Sequence, residues 1–347
     1  MDVQPVRPMI GFAIPSPQRH FMRHHGFLVA AAFLTLGLFA SPESARAQDS
    51  ASRTTVVCTV GMLADLARGI AGDRATVSSL MGPGIDPHLY KPTRSDLSRL
   101  MKADLIIANG LHLEGRMDDT LDRAAEAGRT VVRVGELVPK TQLIENAEEN
   151  ATDPHLWMNT RIWASTVPSI AAALTKVDPA GKETYAANAA RLQKDLLALD
   201  EWSEARIATV PESTRILVTA HDAFEYFGRR FGFEVVGIQG ISTESEAGVR
   251  DLARIVDLLV SRNVPAVFIE STVPPRHVEA LVAGARARGH DVRIGGELFS
   301  DAMGDAGTYE GTYPGMIDHN VTTIVRALGG EAPVRGRVGR LSKTDAK

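Results

Sequence analysis

Hydrophobic and polar positions alternate along the chain between short β-rich runs and longer stretches with helical apolar spacing. Thr55–Val60, Ala75–Leu80 and Asp104–Ala108 are β-rich, whereas Met62–Ala71 and Leu97–Lys102 carry apolar residues at helical intervals. Strands that alternate with helices in this way are typical of βαβ units, in which helices cover both faces of a parallel sheet. The first half of the chain therefore predicts an α/β lobe.

The same rhythm starts again after residue 210. Ile216–Thr219 is an apolar run, Ala223–Arg230 has helical spacing, and Glu234–Gly237 is β-rich. When the two halves are aligned at an offset of about 160 residues, Gly72 falls on Gly232. The pattern predicts an α/β fold with two similar lobes, each a parallel-type sheet flanked by helices.

One long segment separates the two halves. Lys182–Ala208 contains neither proline nor glycine, and its apolar residues recur at near-helical intervals. A helix of this length spans about 40 Å at ~1.5 Å per residue, which is enough to join two lobes. We therefore expect lobes at residues 48–180 and 211–347 with a linking helix at residues 181–210. An ordinary surface helix of one domain is the alternative.

The N-terminus has the features of a secretory signal. Arg19 and Arg23 precede a 15-residue apolar run at residues 26–40, and Ala45-Arg46-Ala47 places small residues at the two positions that signal peptidase reads. We expect residues 1–47 to be a signal peptide cleaved before Gln48, and the mature chain to be periplasmic. A membrane anchor is the alternative, although the run is short for one. Translation could also begin at Met22.

Composition restricts the class of protein. Hydrophobic residues make up 44% and charged residues 23%, as in ordinary soluble domains. A formal charge of −4 and an aromatic content of 5% argue against a nucleic-acid partner. Because Cys58 is the only cysteine, an exported chain has no intramolecular disulfide, and we expect Cys58 to be a buried strand residue.

Candidate metal ligands follow four of the predicted strands. The tripeptide Asp-Pro-His occurs twice, at residues 86–88 and 153–155, and in each case the proline stiffens the chain just before the imidazole. His221 and Asp301 follow strands of the second half. Loops at the carboxyl ends of parallel strands line ligand clefts. These positions predict that His88, His155, His221 and Asp301 lie in the cleft between the lobes. The alternative is that the histidines are solvated or locally hydrogen-bonded loop residues and that the aspartate caps a helix.

Three imidazoles and a carboxylate suit zinc, manganese or ferrous iron. Asp86 and Asp222 are the expected acceptors for the second ring nitrogen of the histidines, and Glu270 could contact the cleft. A secreted metal-dependent hydrolase is the alternative function. Four protein ligands would, however, fill the shell that a catalytic zinc keeps open, and the chain has no GxSxG or HExxH motif.

From Thr55 to Leu328 the chain resembles the TroA/ZnuA-type solute-binding proteins of metal ABC transporters. The segments that carry the resemblance are GPGIDPH at residues 82–88, ADL at 103–105, NGLHLE at 109–114, DPHLW at 153–157, VTAHDAF at 218–224, GIQG at 237–240, FIES at 268–271 and GELFSDAMG at 296–304. The resemblance implies two α/β lobes joined by one long helix, with a metal ion held between them.

The resemblance also implies the ligands and the partners. The family's four ligand positions correspond to His88, His155, His221 and Asp301. It implies a non-enzymatic protein that captures zinc or manganese, with iron possible, and delivers the ion to the membrane permease and ATPase of an ABC importer. We expect a monomer.

The sequence departs from both main subtypes of this family. Zinc-specific relatives usually carry a histidine-rich loop before the second ligand, but residues 142–152 contain no histidine. Manganese-dedicated relatives usually have glutamate at the third ligand position, where this chain has His221. The sequence therefore leaves the choice of metal open, although three nitrogen ligands favour zinc on intrinsic affinity.

Overall fold

A four-stranded parallel sheet forms the centre of the first lobe. The computed structural model describes residues 53–147, 150–245 and 247–342, so the predicted signal peptide lies outside the described residues. The strands run in the order β2-β1-β3-β4. Their bounds are Thr54–Cys58 (β1), Ala75–Ser79 (β2), Leu105–Ala108 (β3) and Thr130–Arg133 (β4). Cys58 is fully buried at the end of β1, as expected, and burial raises the pKa of its thiol to about 12.

Helices cover this sheet. They are Gly61–Ala71 (α1), Arg94–Lys102 (α2), Asp118–Glu126 (α3) and Thr160–Val177 (α4). A capping box starts α2, because Thr93 accepts a hydrogen bond from the Asp96 backbone N–H and the Asp96 carboxylate accepts one from the Thr93 backbone. Between β4 and α4 the chain forms a small antiparallel hairpin of Glu145–Asn146 (β5) and Ala151–Thr152 (β6).

The predicted long helix is present as a single element. Helix α5 spans Lys182–Ile207. It packs against α1 and α4 of the first lobe and against α9 (Tyr313–Ala327), near the chain's C-terminal end. Because one continuous helix touches both halves, α5 acts as a strut between them and is not a surface helix of one lobe.

The second lobe contains two parallel strand pairs. In one, Ile216–His221 (β7) pairs with Glu234–Gln239 (β8); in the other, Ala266–Glu270 (β9) pairs with Arg293–Leu298 (β10). Strands β7 and β9 lie next to each other. The remaining helices are Glu225–Phe231 (α6), Val249–Ser261 (α7) and Arg276–Ala287 (α8). The prediction of a two-lobed α/β fold is confirmed; the residue at which each lobe ends stays a prediction.

The larger hydrophobic core extends across both halves. It includes residues of β1 and α1, the inner face of α5 with Leu196 and Leu199, and Met316 and Ile317 of α9. A smaller cluster lies among β7, α7 and α8. The two halves are thus packed on shared apolar contacts behind the cleft, which positions their strand ends against each other.

Candidate metal centre

Three loops and the end of one strand bring the candidate ligands together between the lobes. His88 lies in the loop between β2 and α2, and His155 in the loop between β6 and α4. His221 is the last residue of β7, and Asp301 follows β10. Each lobe supplies two of the four side chains.

The four side chains form a compact cluster. One ligand atom of each lies within 4.8 Å of those of the other three. The two Nε2 atoms of His88 and His155 are 3.3 Å apart. The Asp301 carboxylate lies 3.6 Å from His88 Nε2, 3.4 Å from His155 Nε2 and 3.3 Å from His221 Nε2. The sequence placed these residues in one cleft, and the structure brings all four into contact.

This cluster is shielded from solvent. His155, His221 and Asp301 are at most 1% exposed, and His88 is 5% exposed. Among the described residues, neither Asp301 oxygen nor His221 Nε2 has a hydrogen-bond partner. Buried polar atoms without partners are costly to a folded protein. Atoms of this kind that point at one another are chemically suited to a shared cation.

The distances also match the geometry that such a cation needs. Zinc bonds of ~2.0–2.2 Å to nitrogen and oxygen in a tetrahedron separate neighbouring ligand atoms by about 3.4 Å. Four of the six ligand pairs have atoms 3.3–3.6 Å apart, in agreement with that spacing, and all the ligand atoms lie within 4.8 Å of one another. The arrangement can therefore accommodate a small divalent ion with little movement.

The repeated Asp-Pro-His tripeptide forms the same turn at both sites. The Asp86 carboxylate accepts a hydrogen bond from the backbone N–H of His88 at 2.9 Å, and Asp153 accepts one from that of His155 at 2.9 Å. Aspartate commonly stabilises a turn through the backbone two residues ahead. The turn and the proline together fix the direction in which each imidazole leaves the backbone.

Two carboxylates hold the second ring nitrogen of two histidines. Asp153 lies 2.8 Å from His155 Nδ1. Glu270, at the end of β9, lies 2.5 Å from His221 Nδ1 and accepts a hydrogen bond from the His221 backbone N–H at 2.9 Å. Carboxylates in this position fix the tautomer that presents Nε2 to a metal.

The expectation that Asp86 and Asp222 perform this role was wrong. Asp86 contacts the backbone of His88 and not its ring. Asp222 follows His221, but no hydrogen bond joins its carboxylate to a histidine among the described residues, and its Oδ1 has no partner. Consecutive residues of an extended chain point in opposite directions, so the residue next to a ligand does not reach its ring.

Burial and neighbouring charge set the protonation of the cluster. Burial lowers the pKa of His88 to about 3. For His155, burial acts in the same direction, but Asp153 and Asp301 outweigh it and raise the pKa to about 9. Glu270 and Asp301 likewise overcome burial and raise the pKa of His221. The neighbouring His221 and His155 outweigh the burial of Asp301 and hold its pKa well below the usual range.

A buried polar network that the sequence analysis did not predict supports the backbone just before His155. Glu114 accepts hydrogen bonds from the Thr59 hydroxyl at 2.5 Å and from the Asn109 and Gly110 backbone. The Asn109 amide in turn donates to the Pro154 carbonyl at 3.0 Å. In the sequence, residues 109–114 stand out only as part of a family motif. The position of Glu114 shortly after the apolar strand β3 is the one signal in the sequence that could have indicated this role.

Further hydrogen bonds close the cleft around the site. Trp157 is fully buried, lies edge-on to the His155 ring at 5.3 Å, and donates from Nε1 to the Ser300 carbonyl at 2.8 Å. The Tyr226 hydroxyl donates to the Asp153 carbonyl at 2.9 Å. Each of these contacts joins the two lobes next to a candidate ligand, so the lobes meet closely at the site.

Two α/β lobes on a helical strut, with a buried polar cluster between them, define the class of two-lobed solute-binding proteins. Residues 56–327 match the family described as zinc-uptake complex component A, periplasmic. The match covers most of the chain, and the chain belongs to this family of metal-binding proteins of ABC transporters.

Individual relatives are similar over almost their whole length. The manganese-binding lipoprotein MntA of Bacillus subtilis is 44% identical over 303 residues, which cover 87% of this chain and 99% of the relative. The zinc-binding protein TroA of Treponema pallidum is also 44% identical over 303 residues, covering 86% and 98%.

Solved structures agree with these matches. The structure of the periplasmic zinc-binding protein TroA from Treponema pallidum superposes with a TM-score of 0.77 at 46% identity, over 80% of this chain and 99% of that chain. Fe(III)-bound YtgA from Chlamydia trachomatis gives a TM-score of 0.73 at 31% identity, over 80% and 99%. The resemblance inferred from the sequence is confirmed.

Membership of this family answers the question of enzyme or binding protein. Its members are solute-binding proteins, so the prediction of a non-enzymatic binding protein is confirmed and the hydrolase alternative has no support. The family is periplasmic by description. Within the part of the chain that the structure describes, no helix is both long enough and apolar enough to span a membrane.

Proposed function

We propose that His88, His155, His221 and Asp301 bind one divalent transition-metal ion as cargo. The observation that carries the proposal is the convergence of four buried ligand atoms within 4.8 Å, including Asp301 oxygens and a His221 nitrogen without hydrogen-bond partners. Three imidazole nitrogens and one carboxylate complete a four-coordinate shell, which suits capture and leaves no open position for an activated water.

Zinc is the ion that this ligand set favours on intrinsic affinity, and manganese and iron are its competitors. Manganese stands lowest in the affinity order of the divalent first-row metals, and imidazole suits zinc, copper and iron. Relatives named for manganese and for zinc are equally similar to this chain, at 44% identity. The metal that the cell supplies then decides which ion is carried.

The bound ion would be delivered to a membrane permease driven by an ATPase. Family membership supports this partner pair. We propose further that residues 1–47 are a signal peptide removed on export and that the mature chain acts as a monomer in the periplasm. The proposed organisation is a lobe at residues 48–180, the linking helix at 181–210 and a second lobe at 211–347.

The proposal is tested by titration calorimetry with zinc and with manganese on the mature protein. We expect one ion per chain, and a rise in melting temperature with metal because only the folded state has the site. The His155→Ala variant should lose both responses. His112→Ala is the matched control, since the His112 side chain is exposed and lies beside Asp118 outside the cluster. Equal metal responses in wild type and His155→Ala would refute the site.

A further inference from the structure

A loop of the second lobe reaches across the cleft to the first. The loop at residues 240–245 follows β8, and its Thr243 hydroxyl donates to the Asp86 carboxylate at 2.5 Å. Thr243 is buried, with 8% of its surface exposed. The hydrogen bond therefore forms in a shielded place and has a charged acceptor, two conditions that strengthen it.

The Asp86 carboxylate connects this loop to His88. One carboxylate oxygen accepts from Thr243, and the other accepts from the His88 backbone N–H. Among the described residues, no carboxylate contacts the His88 ring apart from Asp301, whereas Asp153 and Glu270 hold the rings of the other two histidines. The position of His88 thus depends on its backbone turn, and the turn depends on Asp86.

The other end of the loop is anchored beside His221. The Asp222 backbone N–H donates to the Gly240 carbonyl at 3.2 Å, and His221 is paired with Gln239 across β7 and β8. The Gln239 side chain donates to the Ser245 carbonyl at 2.9 Å and holds the loop in shape. A chain of contacts therefore runs from His221 through the loop to Thr243, Asp86 and His88.

We propose that Thr243 is a positioning residue that latches His88 over the bound ion and sets how fast the ion is released. The inference rests on the proposed function, because it takes His88 and His221 as ligands of one ion. His88 is the most exposed of the three histidines, at 5%, which favours release of the ion on its side. The latch is the hydrogen bond between Thr243 and Asp86. When it is formed, the loop at residues 240–245 and the bound ion both hold the two lobes together.

A second contact of this loop is the natural comparison. Glu244, the neighbour of Thr243, pairs with Arg116 of the first lobe at 2.7 Å, but the side chains of Arg116 and Glu244 are 37% and 49% exposed. Exposed ion pairs contribute little and are screened by salt. The pair bridges the same cleft without contacting a ligand loop, which separates the effect of bridging from the effect of positioning His88.

The experiment measures the rate at which zinc passes from the loaded full-length mature protein to an excess of a coloured chelator, by stopped flow. Thr243→Val removes the hydroxyl and keeps the shape of the side chain. We expect zinc to be released about tenfold faster, because the variant loses one buried hydrogen bond to a charged group. Thr243→Ser keeps the hydroxyl and should restore the wild-type rate. Thr175→Val, in α4 with its hydroxyl bound to the Ala171 carbonyl, is the matched control.

Three further readouts make the outcome decisive. Calorimetry must first give one zinc per wild-type chain. A failure there refutes the proposed function and, with it, the latch, whereas one zinc per chain with an unchanged release rate in Thr243→Val refutes the latch alone. Thr243→Val should add no further acceleration to Asp86→Ala, because the two groups act through one contact. Glu244→Gln should change the rate less than twofold. Wild-type release from Thr243→Val, or release from Thr243→Ser as fast as from Thr243→Val, would overturn the latch.

Discussion

At the scale of single residues, the three histidines of the cleft differ in what holds their second ring nitrogen. Asp153 contacts His155 Nδ1 and Glu270 contacts His221 Nδ1, whereas His88 is held through its backbone. A carboxylate at Nδ1 fixes the ring orientation and increases the basicity of the nitrogen that faces a metal. In the proposed site, His155 and His221 would therefore be the preorganised ligands, and His88 would complete the shell.

Replacing Glu270 by glutamine tests this role. Glutamine keeps the size of the side chain but loses the charge that supports the His221 ring, so we expect zinc affinity to fall about 10- to 100-fold. Competition with a chelator of known affinity measures the zinc affinity of the variant. Glu234→Gln, an exposed glutamate paired with Arg262 in the same lobe, is the control and should bind like wild type. Unchanged affinity in Glu270→Gln would show that the ring needs no such support.

The raised pKa values of His155 and His221 make metal binding pH-dependent. With the pKa of His155 raised to about 9 and that of His221 raised as well, both rings hold a proton at neutral pH that the metal must displace. Affinity should therefore rise with pH throughout the range below the pKa of His155, by about tenfold per pH unit for each displaced proton. Zinc dissociation constants measured from pH 6 to 8.5 check this. A flat profile would contradict histidine ligation.

The sequence predicted which side chains meet but not how they are supported. Two copies of Asp-Pro-His form the same turn, yet only Asp153 also reaches the ring of its histidine. That difference depends on a side-chain rotation that no pattern in the sequence encodes. Glu270 lies 49 residues from His221 along the chain, and only the neighbouring position of β7 and β9 brings the two together.

At the scale of elements, α5 joins the two lobes because its buried side chains pack in the core that both halves share. Leu196 and Leu199 are fully buried in the core that both halves share, whereas Leu197 is 41% exposed. The absence of proline and glycine from Lys182 to Ala208 predicted a helix there, and the helix observed spans Lys182–Ile207. Which apolar side chains face the core was harder to predict, because α5 touches neighbours on more than one side.

Leu199→Ala should destabilise the protein by about 2–5 kcal/mol, the usual cost of a leucine-sized cavity in a packed core. Chemical denaturation of the mature protein measures it. Leu197→Ala, two residues earlier in the same helix, is the matched control and should change the free energy of unfolding by less than about 0.5 kcal/mol, as at other surface positions. Equal losses in the two variants would mean that α5 does not pack as described.

For the strands, the sequence predicts where they lie along the chain but not which strands pair with each other. The pattern of apolar runs located β1, β2 and β3 of the first sheet to within one or two residues. In the second lobe the same rhythm predicted the strands but not their arrangement as two hydrogen-bonded pairs, β7 with β8 and β9 with β10. Pairing depends on the register between distant segments, which local patterns do not contain.

At the scale of the whole molecule, the shared core limits how far the lobes can move. Apolar side chains of α1, α5 and α9 pack in one cluster behind the cleft, and hydrogen bonds such as Trp157 to Ser300 cross it. Large hinge motions need a few loop residues that absorb the change in backbone angles. A continuous helix between the lobes offers no such hinge.

We therefore expect only a small closure when the metal binds. Small-angle X-ray scattering of the mature protein, with zinc and after chelation, should give nearly superimposable curves. A clear decrease in the radius of gyration on adding zinc would contradict the strut and would indicate a hinge that α5 does not provide.

The proposed site requires one ion shared by four side chains from two lobes. Crystals of the zinc-loaded mature protein, with anomalous diffraction recorded on both sides of the zinc absorption edge, test this most directly. The predicted result is a single strong peak at about 2.0–2.2 Å from a ring nitrogen of His88, His155 and His221 and from an Asp301 oxygen. A peak at any other place, or one that contacts side chains of a single lobe, would contradict it.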